Sequence, residues 1–155
     1  MTFSFAAVIA TCLALSADAQ PATPPRLPNV LIIGDSISIG YMKTLEELLK
    51  GKANLVHNPG NAAHSGNGLA KLDEWLGDTK WDVIHFNHGL HDLKSLDAEG
   101  KSARTKEGAH IQVPLEKYKE NMEAIVTRLK KTGAKLIFAT TVSYTHLTLP
   151  TSDLV

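Results

Sequence analysis

Cysteine is almost missing from this chain: the only one, Cys12, lies within the first 19 residues. A mature form without those residues has no thiol, which excludes disulfides, cysteine-ligated zinc and a cysteine nucleophile. Net charge is missing as well. Sixteen basic and sixteen acidic side chains cancel, so no global field draws nucleic acid or an anionic membrane. Aromatic residues supply only 6% of the chain against 43% hydrophobic and 21% charged, the balance of one soluble domain. No internal repeat occurs. Histidine, by contrast, is plentiful, with seven in the chain and four of them (His64, His85, His88, His91) between positions 64 and 91.

Residues 1–19, MTFSFAAVIATCLALSADA, read as a secretory signal peptide. Phe3 to Leu15 is an apolar core, and Ala17 and Ala19 are the small residues a signal peptidase requires. The segment carries no Lys or Arg, and it is too short and too rich in small residues to span a bilayer comfortably. The expected location is secreted or periplasmic, with no stable membrane insertion once the signal is removed. Residues 20–28, QPATPPRLP, form a proline-rich spacer that cannot enter a sheet interior.

Beyond the spacer, strand and helix patterns alternate. NVLII (29–33) is a continuous apolar run ending at Gly34, as suits a strand buried on both faces. Met42, Leu45, Leu48 and Leu49 recur at helical spacing up to Gly51. Residues 53–57 read as a second strand, and Leu69, Leu72, Trp75 and Leu76 as one face of a second helix. DVIHFN (82–87) is the third strand, residues 94–113 a long surface loop, and Leu115 to Leu129 a long amphipathic helix. KLIFATT (135–141) is a further strand. This alternation predicts a three-layer α/β/α sandwich around a mainly parallel sheet. Chemistry in such sheets collects at the carboxyl ends of strands, where this chain places Gly34-Asp35-Ser36, Asn87 to Asp92, and Thr140-Thr141.

IGDSISIG (33–40) sets a serine between a buried strand and a helix. There its hydroxyl stands clear of the core and the neighbouring N–H groups face a developing oxyanion. The same residues also make an ordinary helix cap, and the tripeptide alone supplies no general base. The dense histidine cluster invites comparison with a metal site. However, His85, His88 and His91 straddle a strand and a glycine turn, so their side chains diverge and no metal is assigned.

VLIIGDSISIG resembles the nucleophile block of the SGNH, or GDSL, hydrolases. The resemblance runs from Asn29 to Thr141 and is nearest to a secreted branch with GDSIS and GLHD blocks. It implies the flavodoxin-like SGNH fold, an ester hydrolase without cofactor, and Ser36 as nucleophile. Ser36 would also give its backbone N–H to the oxyanion hole, with Gly34 and Asp35 shaping the turn. In the second block, NPGNAAHSGNGL (58–69), the oxyanion-hole glycine falls on Ala63, with Gly66 the alternative. In the third, Gly89-Leu90-His91-Asp92, histidine replaces the family's asparagine. His91 then acts either as substitute oxyanion donor, the favoured role, or as a modified site element, with Gly89 and Asp92 in support. His85 reads as a residue packed along a strand and His88 as a turn residue at the rim.

The fourth block, an Asp-x-x-His supplying the base and its orienting Asp, is not found after Thr141. Such a domain ordinarily reaches on the order of 200 residues. The closing stretch VSYTHLTLPT (142–151) can be encoded by GTC TCT TAT ACA CAT CTG ACG CTG CCG ACG, the readthrough of a transposase-type sequencing adapter. Residues 142–155 are therefore expected not to be native, and His146 is not the base. The sequence reads as a C-terminally truncated piece of a secreted serine esterase, inactive as written, whose substrate is a small-molecule or polysaccharide ester. Carbohydrate O-acyl groups are the natural extension of secretion. The departures at Ala63 and His91 keep a non-catalytic carbohydrate-binding relative open as one alternative, and the histidine cluster keeps a metal-binding module as a second, weaker one.

Overall fold

The computed structural model describes residues 26–103 and 108–141. Residues 1–19 expected as a signal peptide, most of the expected spacer, and residues 142–155 with His146 lie outside the described residues.

NVLII forms β1 (Asn29–Ile33), and Asp35 then caps α1 (Ser36–Leu49). β2 (Asn54–His57), α2 (Ser65–Leu76) and β3 (Val83–Phe86) follow. α1 begins at Ser36 rather than near Met42 because the Asp35 carboxylate accepts from the Ile37 N–H at 2.9 Å, satisfying one of the helix's orphan donors. The stretch 94–113 is not loop throughout. It contains a two-residue antiparallel pair, β4 (Ser95–Leu96) and β5 (His110–Ile111). The chain then enters α3 (Leu115–Lys130) and β6 (Lys135–Phe138), which ends before the Thr141 that apolar character alone had marked.

The four strands of the main sheet pair in parallel throughout, in the order β2-β1-β3-β6. The chain steps from β1 outward to β2, then crosses back over β1 to β3. Right-handed crossovers in opposite directions put their helices on opposite faces, so α1 covers one face while α2 and α3 share the other. Side-chain alternation agrees. Leu31, Ile33, Ile84 and Phe86 pack with Leu72, Trp75, Ile125 and Leu129 in one buried cluster on the α2/α3 side. Ile32, His57 and His85 occupy the alternate row, facing α1. The sheet is thus an α/β/α arrangement whose switch point lies between β1 and β3, at their carboxyl ends.

The α1 side is thinly covered. Ser38 is the only buried residue of α1, whereas Ile37, Ile39 and Leu48 are exposed. β6 has no partner on its outer edge among the described residues, and its Ile137 and Phe138 are 44% and 45% exposed. An apolar edge strand with open backbone groups is a template for adding another strand.

Candidate active site

Ser36 is the first residue of α1 and is exposed, so its hydroxyl stands at the switch-point crevice. Helix-start N–H groups with the positive end of the helix dipole lie beside it. Asp35, 5% exposed, serves both readings of the motif at once: one carboxylate oxygen caps Ile37, and the other lies 3.7 Å from His91 Nε2. That separation is too long for a hydrogen bond but close enough for charge attraction when the ring is protonated. The GDS turn and the GLHD turn therefore meet, and His91 lies beside the turn that carries Ser36.

The second block arrives from the end of β2. Ala62 donates its N–H to the Gly34 carbonyl at 3.0 Å, tying this loop to the turn before Ser36. Ala63 has φ 54°, the only positive φ at a non-glycine among the described residues. A non-glycine held in the left-handed region is strained, and such strain concentrates at functional sites. Its N–H is taken by the Asn61 side chain at 2.7 Å, so service to an oxyanion requires that amide to yield. Gly66 lies in the first turn of α2, where N–H groups have no helical partner.

Behind these loops runs a buried polar network. Asp92, 2% exposed, accepts the Ser65 N–H at 2.9 and 3.1 Å and the Ser65 hydroxyl at 2.5 Å. Asn121 of α3 donates to the same hydroxyl at 3.0 Å. The carboxylate therefore sits on the N-terminus of α2, where the helix dipole favours it. Gly89 has φ 141°, and a side chain there would collide with Thr141, whose hydroxyl donates to the His88 carbonyl at 2.8 Å. Tyr118 donates to that carbonyl as well, at 3.1 Å.

The histidines part company. His91 reaches the site, and His85 points toward α1, where its Nδ1 is buried without a hydrogen-bond partner among the described residues. His88 is not a rim residue as the glycine turn implied. It is 2% exposed, stacked on Gly68, where any side chain would strike its ring, with Nδ1 3.4 Å from the Ala63 carbonyl. Among the described residues no group of three or more His, Cys, Asp or Glu is placed to hold a metal ion.

Against solved structures, the chain matches the acetyl xylan esterase AlAXEase with TM-score 0.56 and 18% identity, over 71% of this chain and 56% of that one. TesA matches at 0.54 and 19%, over 71% and 58%. A GDSL-like lipase from Bacteroides thetaiotaomicron matches at 0.52 and 17%, over 71% and 47%. The fold is that of the SGNH, or GDSL, hydrolases. The chain spans about half the length of these neighbours, 47% to 58%. No protein-family model matches it, and no curated protein does.

Within this SGNH fold, sequence reasoning overlooked Ser65, Asn121, Ser38 and His57. Ser65 carried the one available signal, a small polar residue just before an apolar helical run. Asn121 on a long amphipathic helix carried none, since only the packing of α3 on α2 turns it inward. Burial pushes the His88 imidazole below the ordinary histidine value, partly offset by the Ala63 carbonyl and the Asp92 charge. His85 is lowered by burial too. A ring held neutral in the folded state takes up its proton first when unfolded. The associated stability is therefore complete above about 6.5, the unfolded value, and is lost as pH falls from there through the folded value. Urea midpoints measured between pH 8 and 5 should fall on the acid side, with a shallower fall in His88→Gln. Parallel curves for the two proteins would remove His88 from that account.

Proposed function

We propose that the chain is the N-terminal part of a secreted serine ester hydrolase of the SGNH type. The observation that carries this reading is Ser36, exposed on the first residue of α1 at the β1/β3 switch point of that fold. The Ser36 hydroxyl attacks the ester carbonyl, and a histidine in the part of the natural chain beyond Thr141 takes its proton. The short span relative to the solved neighbours supports placing the base there. The tetrahedral oxyanion is held by the Ser36 N–H, an N–H from the Ala63–Gly66 loop, and His91. Collapse expels the alcohol, and water then hydrolyses the acyl-enzyme.

His91 Nε2 lies 3.7 Å from the Asp35 carboxylate, beside the turn that carries Ser36, which favours the donor role for a histidine where the family's asparagine would stand. The likeness to an acetyl xylan esterase and the signal peptide favour O-acyl groups of a polysaccharide as substrate. A fluorophosphonate probe on the complete natural protein tests the nucleophile directly. Mass spectrometry should find the phosphonyl group on the tryptic peptide 27–43 that contains Ser36. A protein hydrolysing esters with that peptide unmodified would refute Ser36 as nucleophile, and a folded protein with neither labelling nor hydrolysis would favour the carbohydrate-binding alternative.

A further inference from the structure

We infer that His57 and Ser38 form a protonation-dependent clamp on the turn that presents Ser36, acting as positioning residues for the proposed hydrolysis. The inference rests on Ser36 being the nucleophile. Three contacts of equal length build the clamp. Ser38 Oγ lies 2.7 Å from the Asp35 carbonyl and 2.7 Å from His57 Nε2, and His57 Nδ1 lies 2.7 Å from the Asn58 carbonyl.

Counting protons decides what these contacts require. A carbonyl only accepts, so Nδ1 carries a proton for Asn58. The Asp35 carbonyl also only accepts, so the single Ser38 proton goes there, and Nε2 must donate to Ser38 Oγ. All three bonds are made at once only by the imidazolium. A neutral ring loses one of them: with the proton on Nδ1, Nε2 is an acceptor and the one Ser38 proton must abandon either it or the Asp35 carbonyl, and with the proton on Nε2, Nδ1 has none to give Asn58. Ser38 is 5% exposed, so an unmade bond there is not replaced by bulk water.

The clamp closes on both sides of Ser36. The Asp35 carbonyl is the one that starts the α1 ladder, accepting from Ile39 at 3.1 Å. The Asn58 side chain accepts the Gly34 N–H at 2.8 Å, so one residue anchors both His57 and the strand end before Ser36. A Cβ on Gly34 would fall 2.5 Å from Ser38 Oγ, so the absent side chain leaves room for the clamp. The titratable groups around His57 are few. α1 contributes Asp35, whose carboxylate turns to Ile37 and His91, and Tyr41. β3 contributes His85 in the same row of the sheet, while β1 places apolar Ile32 between the two rings. Lys43, Glu46, Glu47, Lys50 and Lys52 are all exposed.

Two measurements on the complete natural protein test the clamp. Imidazole 15N spectra should show both ring nitrogens of His57 protonated at the pH where hydrolysis is fastest, and a singly protonated ring there would overturn the proposal. In ester hydrolysis, kcat should drop about fivefold on the alkaline side, the size of one lost hydrogen bond, following the His57 titration in those spectra with KM unchanged. His57→Gln, Ser38→Ala and Gly34→Ala should each lack that step. A His57→Gln profile superimposed on the unmodified protein's would sink the clamp while leaving Ser36 as nucleophile. Hydrolysis that survives Ser36→Ala would instead remove the reading on which it rests.

Discussion

Ser36→Ala in the complete natural protein is expected to lower kcat/KM for a short-chain p-nitrophenyl ester by about 10³-fold or more, with almost no change in stability. The two halves of that expectation come from different links. The loss follows from removing the atom proposed to form the acyl-enzyme, which Ser38 cannot replace, being buried and bonded to Asp35 and His57. The retained stability follows from the geometry of the helix start. Ser36 is exposed at the first helical position, and the cap is supplied by Asp35, not by Ser36. Alanine is at least as good a helix former there. The denaturation midpoint should therefore stay within about 0.5 kcal/mol of the unmodified protein. Unchanged hydrolysis in Ser36→Ala would end the nucleophile assignment. Lost hydrolysis with a large stability loss would show that the variant reports folding rather than chemistry.

Asp92→Ala has the largest expected effect on folding, about 3 kcal/mol or more. The carboxylate accepts two donors from Ser65, and the Ser65 hydroxyl in turn accepts from Asn121. Alanine leaves the Ser65 N–H and hydroxyl without their acceptor in a place water does not reach, since Ser65 is 0% exposed. It also removes a negative charge from the N-terminus of α2. Asp92→Asn keeps one acceptor oxygen but not the charge, and should cost about 1–2 kcal/mol. A domain of this size has only about 5–15 kcal/mol in hand, so the alanine variant should show a clear fall in its urea midpoint. A shift under about 1 kcal/mol would mean that the site relaxes or admits water. Because the same network joins the GLHD turn to the first turn of α2, the residual activity of Asp92→Asn should fall through kcat.

Much of this was legible in one dimension. Alternating apolar runs and helical periods marked every long strand and helix, because burial on both faces of a parallel sheet forces continuous apolar strands. The GDS turn was legible because a polar tripeptide between a buried strand and a helix has few structural uses. Element ends were less so. The start of α1 depended on the Asp35 side chain finding the Ile37 N–H, a contact that periodicity does not encode. His88 was misplaced because a histidine next to glycine looks like a surface turn, and only the missing side chain of Gly68 on another element makes room for it inside.

By itself the sequence determined the α/β class, the order of its layers and the serine at the carboxyl end of β1. Each of these follows from local pattern and from a handedness rule that holds along the chain. The tertiary structure alone decided that Asp35 lies beside His91, that Asp92 and Asn121 both bind Ser65, and that His57 closes on Ser38. These partners stand 19 to 56 positions apart, and hydrogen bonds act over about 3 Å of space whatever the separation in sequence. Only the packing of the helices on the sheet brings such residues within that range.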